Sequence, residues 1–266
     1  MLSFGHGFPF RNPKGSSSPP PWTPSDAGTI LYQLDAEETN VLWQNTAGTV
    51  AAVAGGDPVQ RWSATVGGNV TQSTAGVIPV LALSGSKKRV SFDGANDRLT
   101  NGTQSFTAGA KSLALCWKFN TTPTGSSLAA PCNLGLPATG GATRVLFTGP
   151  SHPSNGLNWN MDAPGASTTF VGTGISLDTA IHALVITYNG GGTSAASSYA
   201  AWLDGTPITP SVRASATTPI GTTSLGALSN GNNPGDIQIM HVLLWQGAIS
   251  ATNAVSACSY LLTRHT

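Results

Sequence analysis

Two stretches of this chain, Ile181–Tyr188 and Ile237–Trp245, are apolar at almost every position. A strand turns alternate side chains to opposite faces, so a strand that is apolar at both parities is buried on both sides. Each stretch therefore belongs at the centre of a layered fold. Punctuation is the second constraint. The 266 residues include 32 Gly and 18 Pro, which cut the chain into short elements and oppose long helices. Between the breaks the pattern is that of strands. Leu113, Leu115, Trp117 and Phe119 share one face of Ser112–Phe119, and Val90 and Phe92 alternate with Arg89 and Ser91. Further strands are expected at Thr29–Leu34, Arg144–Phe147, Gly156–Met161 and Thr168–Val171, with a hairpin over Tyr199–Ile208 turning on Asp204-Gly205. Residues 120–142, rich in Thr, Pro, Gly and Ala, read as a long loop.

One helix is expected, at the end. Ser250 is a good N-cap, and Ala254, Val255, Ala257, Cys258, Leu261 and Leu262 follow the 3.6 period. Arg264 and His265 sit at the end where the helix dipole favours positive charge. The whole reads as an all-β, two-sheet antiparallel β-sandwich over residues 27–266, with a short C-terminal helix. Residues 1–26 differ in kind. Phe4, Phe8, Phe10 and Trp22 are spaced by Gly, Pro and Ser, which makes an extended arm rather than a core. Left bare, those aromatics would be a solubility liability; docked on a neighbouring subunit they would be an anchor. A plain flexible tail is the other reading.

Charge is scarce. Asp, Glu, Lys and Arg make up 9% of the chain, against about 25% in ordinary domains, and the net charge is +1. That leaves no electrostatic footprint for nucleic acid. A weakly charged surface suits life in an assembly. No apolar run reaches the ~18 residues of a membrane span, so no membrane insertion is expected. The start lacks the basic lead and apolar stretch of a signal peptide, so synthesis in a cytoplasm without export by that route is expected. Cys116, Cys132 and Cys258 are odd in number and lack metal-site spacing, so buried thiols are expected, a Cys116–Cys132 bridge being the alternative.

Chemistry is sparse as well. A glycosidase needs two carboxylates about 5–10 Å apart. Glu37 and Glu38 are the only glutamates, adjacent in a turn and read as solvated. There is no Gly-x-Ser-x-Gly elbow. His182 and His241 lie in apolar strands and read as satisfied core histidines. No catalytic residues are assigned and no cofactor is expected. Asp93, Asn96 and Asp97 offer oxygen ligands for calcium in one turn, or caps for that turn's amides. Asn155, Asn158, Trp159, Asn160 and Asp162 combine an aromatic ring with amides and an acid, the mix that binds a sugar.

Several segments in order resemble a known family. They are Val41–Val50 with Gly56–Trp62 and Thr71–Pro79; Val90–Leu99; and His182–Tyr188, Trp202–Gly205 and Gly235–Leu261. Over roughly residues 29–264 the chain resembles the concanavalin A-like lectin/glucanase (laminin-G-like) jelly rolls found in bacteriophage structural proteins. Residues 63–69 lack the acid that the family often carries after the tryptophan at this point. The glucanase pattern Glu-x-Asp-x-x-Glu is also missing. The resemblance implies a non-enzymatic virion structural protein: a head decoration, head fibre or tail-surface component. It would be held to other capsid or tail subunits by its arm and be homo-oligomeric in the assembly. The alternative is a carbohydrate-binding module for host surface glycans. A polysaccharide hydrolase is the third and weakest reading.

Overall fold

The computed structural model describes residues 21–102, 106, 109–124, 128–134, 142–148, 156–163, 168–172, 178–191, 196–209, 211–214, 223–227, 231 and 234–266. For 128, 142–144, 146–148, 156–163, 168–172, 196 and 211–214 it describes the backbone only. After a single 3-10 turn at Pro24–Ala27 the chain enters β1 (Ile30–Asp35). Three two-residue strands follow: β2 (Leu42–Trp43), β3 (Arg61–Trp62) and β4 (Val70–Thr71). Next come β5 (Val80–Ser84), β6 (Lys87–Asp93), β7 (Leu99–Asn101) and β8 (Lys111–Phe119). The middle of the chain forms β9 (Leu128–Leu134), β10 (Ala142–Thr148), β11 (Gly156–Ala163) and β12 (Thr168–Gly172). Then come β13 (His182–Tyr188), β14 (Tyr199–Leu203), β15 (Thr206–Ile208), β16 (Ser211–Ala214), β17 (Thr223–Leu225), β18 (Asp236–Gln246) and the helix α1 (Ala251–His265).

These strands make two antiparallel sheets, as expected from the sequence. One has the order β15-β14-β13-β8-β18-β6-β5, with β1 beside the second half of β18. The other runs β16-β12-β11-β10-β9-β17-β7-β4-β3-β2. The turn after Val90–Phe92 does more than reverse the chain. It carries it from β6 in the first sheet to β7 in the second.

The doubly apolar strands lie where their pattern requires. Leu113, Leu115 and Trp117 of β8, Leu184 and Ile186 of β13, and Ile237, Ile239, Val242 and Leu244 of β18 face the second sheet. They meet Trp62, Val70, Leu99, Cys132, Val145 and Leu225 there. The opposite parity, Ala114, Cys116, Ala183, Val185, Leu243 and Trp245, is covered by Ala254, Ala257, Cys258 and Leu261 of α1. The fold is thus three layers deep at its centre. Small residues on both surfaces let the helix approach the sheet closely. Ser250 caps the helix as expected, its side chain accepting from the Asn253 amide at 3.2 Å.

One element departs from the sequence reading. The expected loop over 120–142 contains β9. Its two alanines and Pro131 give a weak strand signature. Pro131 falls where the pairing with β10 slips register, so its missing N–H costs the ladder little. The three cysteines are free and buried, with no bridge.

One close approach beneath the β6 strand requires a glycine. Gly226 has φ +81°, and a Cβ there would lie 2.0 Å from Phe92 Cδ1. Gly226→Ala should therefore destabilise the protein by about 3 kcal/mol in urea unfolding. Gly102, with open space around it, should accept Ala within about 0.5 kcal/mol. Equal midpoints for the two variants would contradict this packing.

Candidate functional site

The site begins with an irregularity in β18. Its pairing with β8 skips a residue between Ile239 and His241, leaving Met240 as a bulge. The bulge resets parity, so that Met240 packs under α1 and His241 follows it to the same side. Directly across the β1–β18 ladder from His241 is Asp35. On β1, Tyr32 and Leu34 fill the sandwich core, while Gln33 and Asp35 reach toward β18 and α1. The last turn of α1 then brings Arg264 and His265 onto the same spot.

The result is a buried polar cluster. His241 Nδ1 and His265 Nε2 are 3.2 Å apart. Asp35 Oδ2 lies 3.6 Å from His241 Nδ1, and Asp35 Oδ1 lies 3.9 Å from His265 Nε2. All three side chains are fully buried. Arg264 Nε donates to Asp35 Oδ2, its Nη2 donates to Glu38 Oε1 at 2.7 Å, and the Glu37 amide donates to Asp35 Oδ1 at 2.9 Å. Lys87 Nζ donates to the Arg264 carbonyl at the helix end. Burial, followed by the Arg264 charge, pushes His241 down to about 3. Burial, followed by its neighbour His241, does the same to His265. Both imidazoles are neutral at physiological pH.

Above the cluster, along the outer side of α1, opens a cleft of about 820 Å³. Its lining includes Trp22, Tyr260, Ser256, Ser259, Glu37 and Lys87. Trp22 meets Tyr260 edge-on with ring centroids 5.6 Å apart, and its Nε1 donates to Asn253 Oδ1 at 3.4 Å. Tyr260 in turn meets His241 edge-on at 6.1 Å. An aromatic chain therefore links the cleft wall to the buried cluster. The volume lies within the usual range for small-ligand sites, and the lining mixes rings, hydroxyls and charges.

A second histidine is held differently. His182 at the start of β13 is bracketed by Asp204 Oδ2 at 2.7 Å from Nδ1 and Asp178 Oδ1 at 3.0 Å from Nε2. Hydrogen bonding to Asp204, outweighing burial and joined by Asp178, raises its pKa.

The residues singled out from sequence are distributed as follows. Trp22 packs against the chain's own α1. Phe4, Phe8 and Phe10 lie outside the described residues, as does Asn155. Asn158, Trp159, Asn160 and Asp162 fall on β11, whose side chains are likewise outside the description. The Trp159 backbone pairs with Val145 and Phe170. Asp93 Oδ1 accepts from the amides of Ala95, Asn96 and Asp97, and Asp97 Oδ2 accepts from the Asp93 amide. Burial and the Asp93 charge push Asp97 up to about 6.

Glu37 needs correction: it is largely covered and accepts from the Lys88 amide at 2.7 Å. Glu38 keeps an exposed side chain, as read, and pairs with Arg264. The sequence reading missed the cluster as a unit, along with Lys87 and Tyr260. Its one available signal was the crowding of charge at Asp35-Ala36-Glu37-Glu38 and Arg264-His265 in a chain otherwise poor in it.

No protein-family model matches the chain, and no curated protein matches it. Among solved structures it is similar to the receptor binding domain of botulinum neurotoxin D. That match has TM-score 0.52 and 10% identity, covering 89% of this chain and 54% of that one. It is also similar to Trypanosoma rangeli sialidase in complex with 2,3-difluorosialic acid, with TM-score 0.49 and 12% identity, covering 90% of this chain and 34% of that one. The chain thus spans about a third of the sialidase and about half of the toxin domain. At such identity the likeness to the toxin domain shows a shared β-sandwich fold.

His182 supplies a pH test. Its folded-state pKa is raised above the ordinary value of about 6.5. The stability it contributes is fully present below about pH 6.5 and is lost as pH rises through the folded value. The urea midpoint of the wild type should fall across that window, and His182→Gln should flatten the fall. An unchanged slope in the variant would assign the titration elsewhere.

Proposed function

We propose that this protein is a non-enzymatic carbohydrate-recognition domain, with the cleft along α1 as its ligand site. The observation that carries the reading is the composition of that cleft: two aromatic rings and serine hydroxyls together with a carboxylate and an ammonium group. Aromatic faces stack against the apolar face of a pyranose, while serines, Glu37 and Lys87 meet its hydroxyls. The likeness to a toxin's receptor binding domain supports the reading at the level of fold alone. The concanavalin A-like assignment belongs to the same proposal, supported by the two-sheet architecture and the order of the sequence motifs. Host glycans are then the partners. Attachment within a virion through residues 1–26 is a separate reading that rests on composition, and none of the neighbours named above supports it.

The test is a glycan array with the full chain, followed by titration of the strongest hit. Ser259 is exposed on α1, so Ser259→Trp fills the cleft without touching the core. It should abolish binding, and Tyr260→Ala should weaken it about tenfold, or about 1.4 kcal/mol. Binding lost in Trp159→Ala but kept in Ser259→Trp would move the site to β11. Silence across the array would sink the proposal.

A further inference from the structure

We propose that Asp35, His241 and His265 form a binding site for one divalent transition-metal ion of the zinc class. The argument begins with spacing. Zinc held tetrahedrally at about 2.0–2.1 Å keeps its ligand atoms about 3.4 Å apart. The two imidazole nitrogens are 3.2 Å apart, Asp35 Oδ2 lies 3.6 Å from the His241 nitrogen and Asp35 Oδ1 3.9 Å from the His265 nitrogen, and one ligand atom from each residue lies within 4.8 Å of the other two. Shifts of about an ångström bring the two imidazole nitrogens and the carboxylate onto such an ion. Two histidines and one aspartate are a donor set for zinc, cobalt or nickel rather than for calcium or magnesium.

The ligands are also held in advance. Asp35 and His241 are opposed across a ladder, and His241 is placed by the bulge. His265 is fully buried at the end of a fifteen-residue helix. Supporting groups surround them, as they do at metal sites. Arg264 Nε and the Glu37 amide orient the Asp35 carboxylate. The Gln33 amide lies 3.5 Å from His241 Nε2.

A second observation is independent of the spacing. His265 Nδ1 is buried and makes no hydrogen bond, while Glu37 Oε1 stands 3.9 Å away. Without an ion, the two facing nitrogens at 3.2 Å share a single proton. An ion takes that proton's place. Each imidazole then carries its proton on the far nitrogen: His241 on Nε2, toward Gln33 turned to present Oε1, and His265 on Nδ1, toward Glu37. The otherwise unmatched Nδ1 thereby gains its acceptor.

The experiment uses the full chain stripped with a chelator and dialysed free of it. Zinc is titrated by calorimetry, and cobalt by visible absorption. One equivalent should bind, and cobalt should give the intense bands of a four-coordinate centre. His265→Gln should weaken binding at least ~100-fold and Glu37→Gln about tenfold. His182→Gln, at the Asp178–Asp204 bracket, should leave affinity unchanged. Should His265→Gln fail to fold, as read by circular dichroism, the milder Glu37→Gln and the cobalt spectrum decide. Absence of saturable one-to-one binding, six-coordinate cobalt bands, an unaltered affinity in Glu37→Gln, or loss of binding in His182→Gln would each overturn the site.

Discussion

The strand β18 is the element on which the remaining contacts depend. One of its edges pairs with β8 along nearly its whole length, and the other is shared by β6 and then β1. One face lines the space between the sheets and the other carries the helix. A strand enclosed on four sides cannot slip register without exposing one apolar set and burying another wrongly. Its single slip, the bulge at Met240, is therefore a fixed feature. It brings His241 under the last turn of α1, where an uninterrupted ladder would have turned it the other way.

Scarcity of charge gives the cluster its character. In a chain that is 9% charged, three acids and two bases gather where β1, the β6 end and α1 meet. Asp35 is buried completely, so its partners must replace all the water it has lost. Arg264 and the Glu37 amide supply that replacement. Arg264 also opposes the proton affinity that Asp35 would otherwise lend the two histidines. Burial is the larger reason that both remain neutral within reach of a carboxylate.

Legibility in the sequence followed the range of the interaction. The central strands, the Asp204-Gly205 hairpin and the capped helix were readable because each is written in contiguous residues. Asp204 and Gly205 both take positive φ, as that turn requires. β9 was not readable, because its strand character comes from neighbours rather than from Ala129, Ala130 and Pro131 themselves. Still less readable was the site. Asp35, His241 and His265 are brought together by an unannounced bulge, which turns His241, and by the docking of a helix, which delivers His265. Glu37 misled for the same reason: an acid in a turn looks solvated until the helix end arrives over it.

The buried pair of Arg264 and Asp35 is better understood as a positioning device than as a source of stability. Desolvating a carboxylate offsets much of the attraction it gains, so such pairs add little net stability. The helix already has an apolar face in Ala254, Ala257, Cys258 and Leu261. That face packs on Ala114, Ala183, Val185 and Met240, and apolar packing of this kind is non-directional. Directional contacts at both ends supply what that packing lacks. At the start, Ser112 Oγ accepts from the Ile249 amide and donates to the Gly247 carbonyl, while Trp245 Nε1 donates to the Pro24 carbonyl. At the finish, Asp35 and Glu38 grip Arg264 and Lys87 grips its carbonyl. Pinning α1 at both ends fixes Tyr260 against Trp22 on one side and His241 on the other. The cleft and the histidine pair are therefore two faces of the same clamped helix.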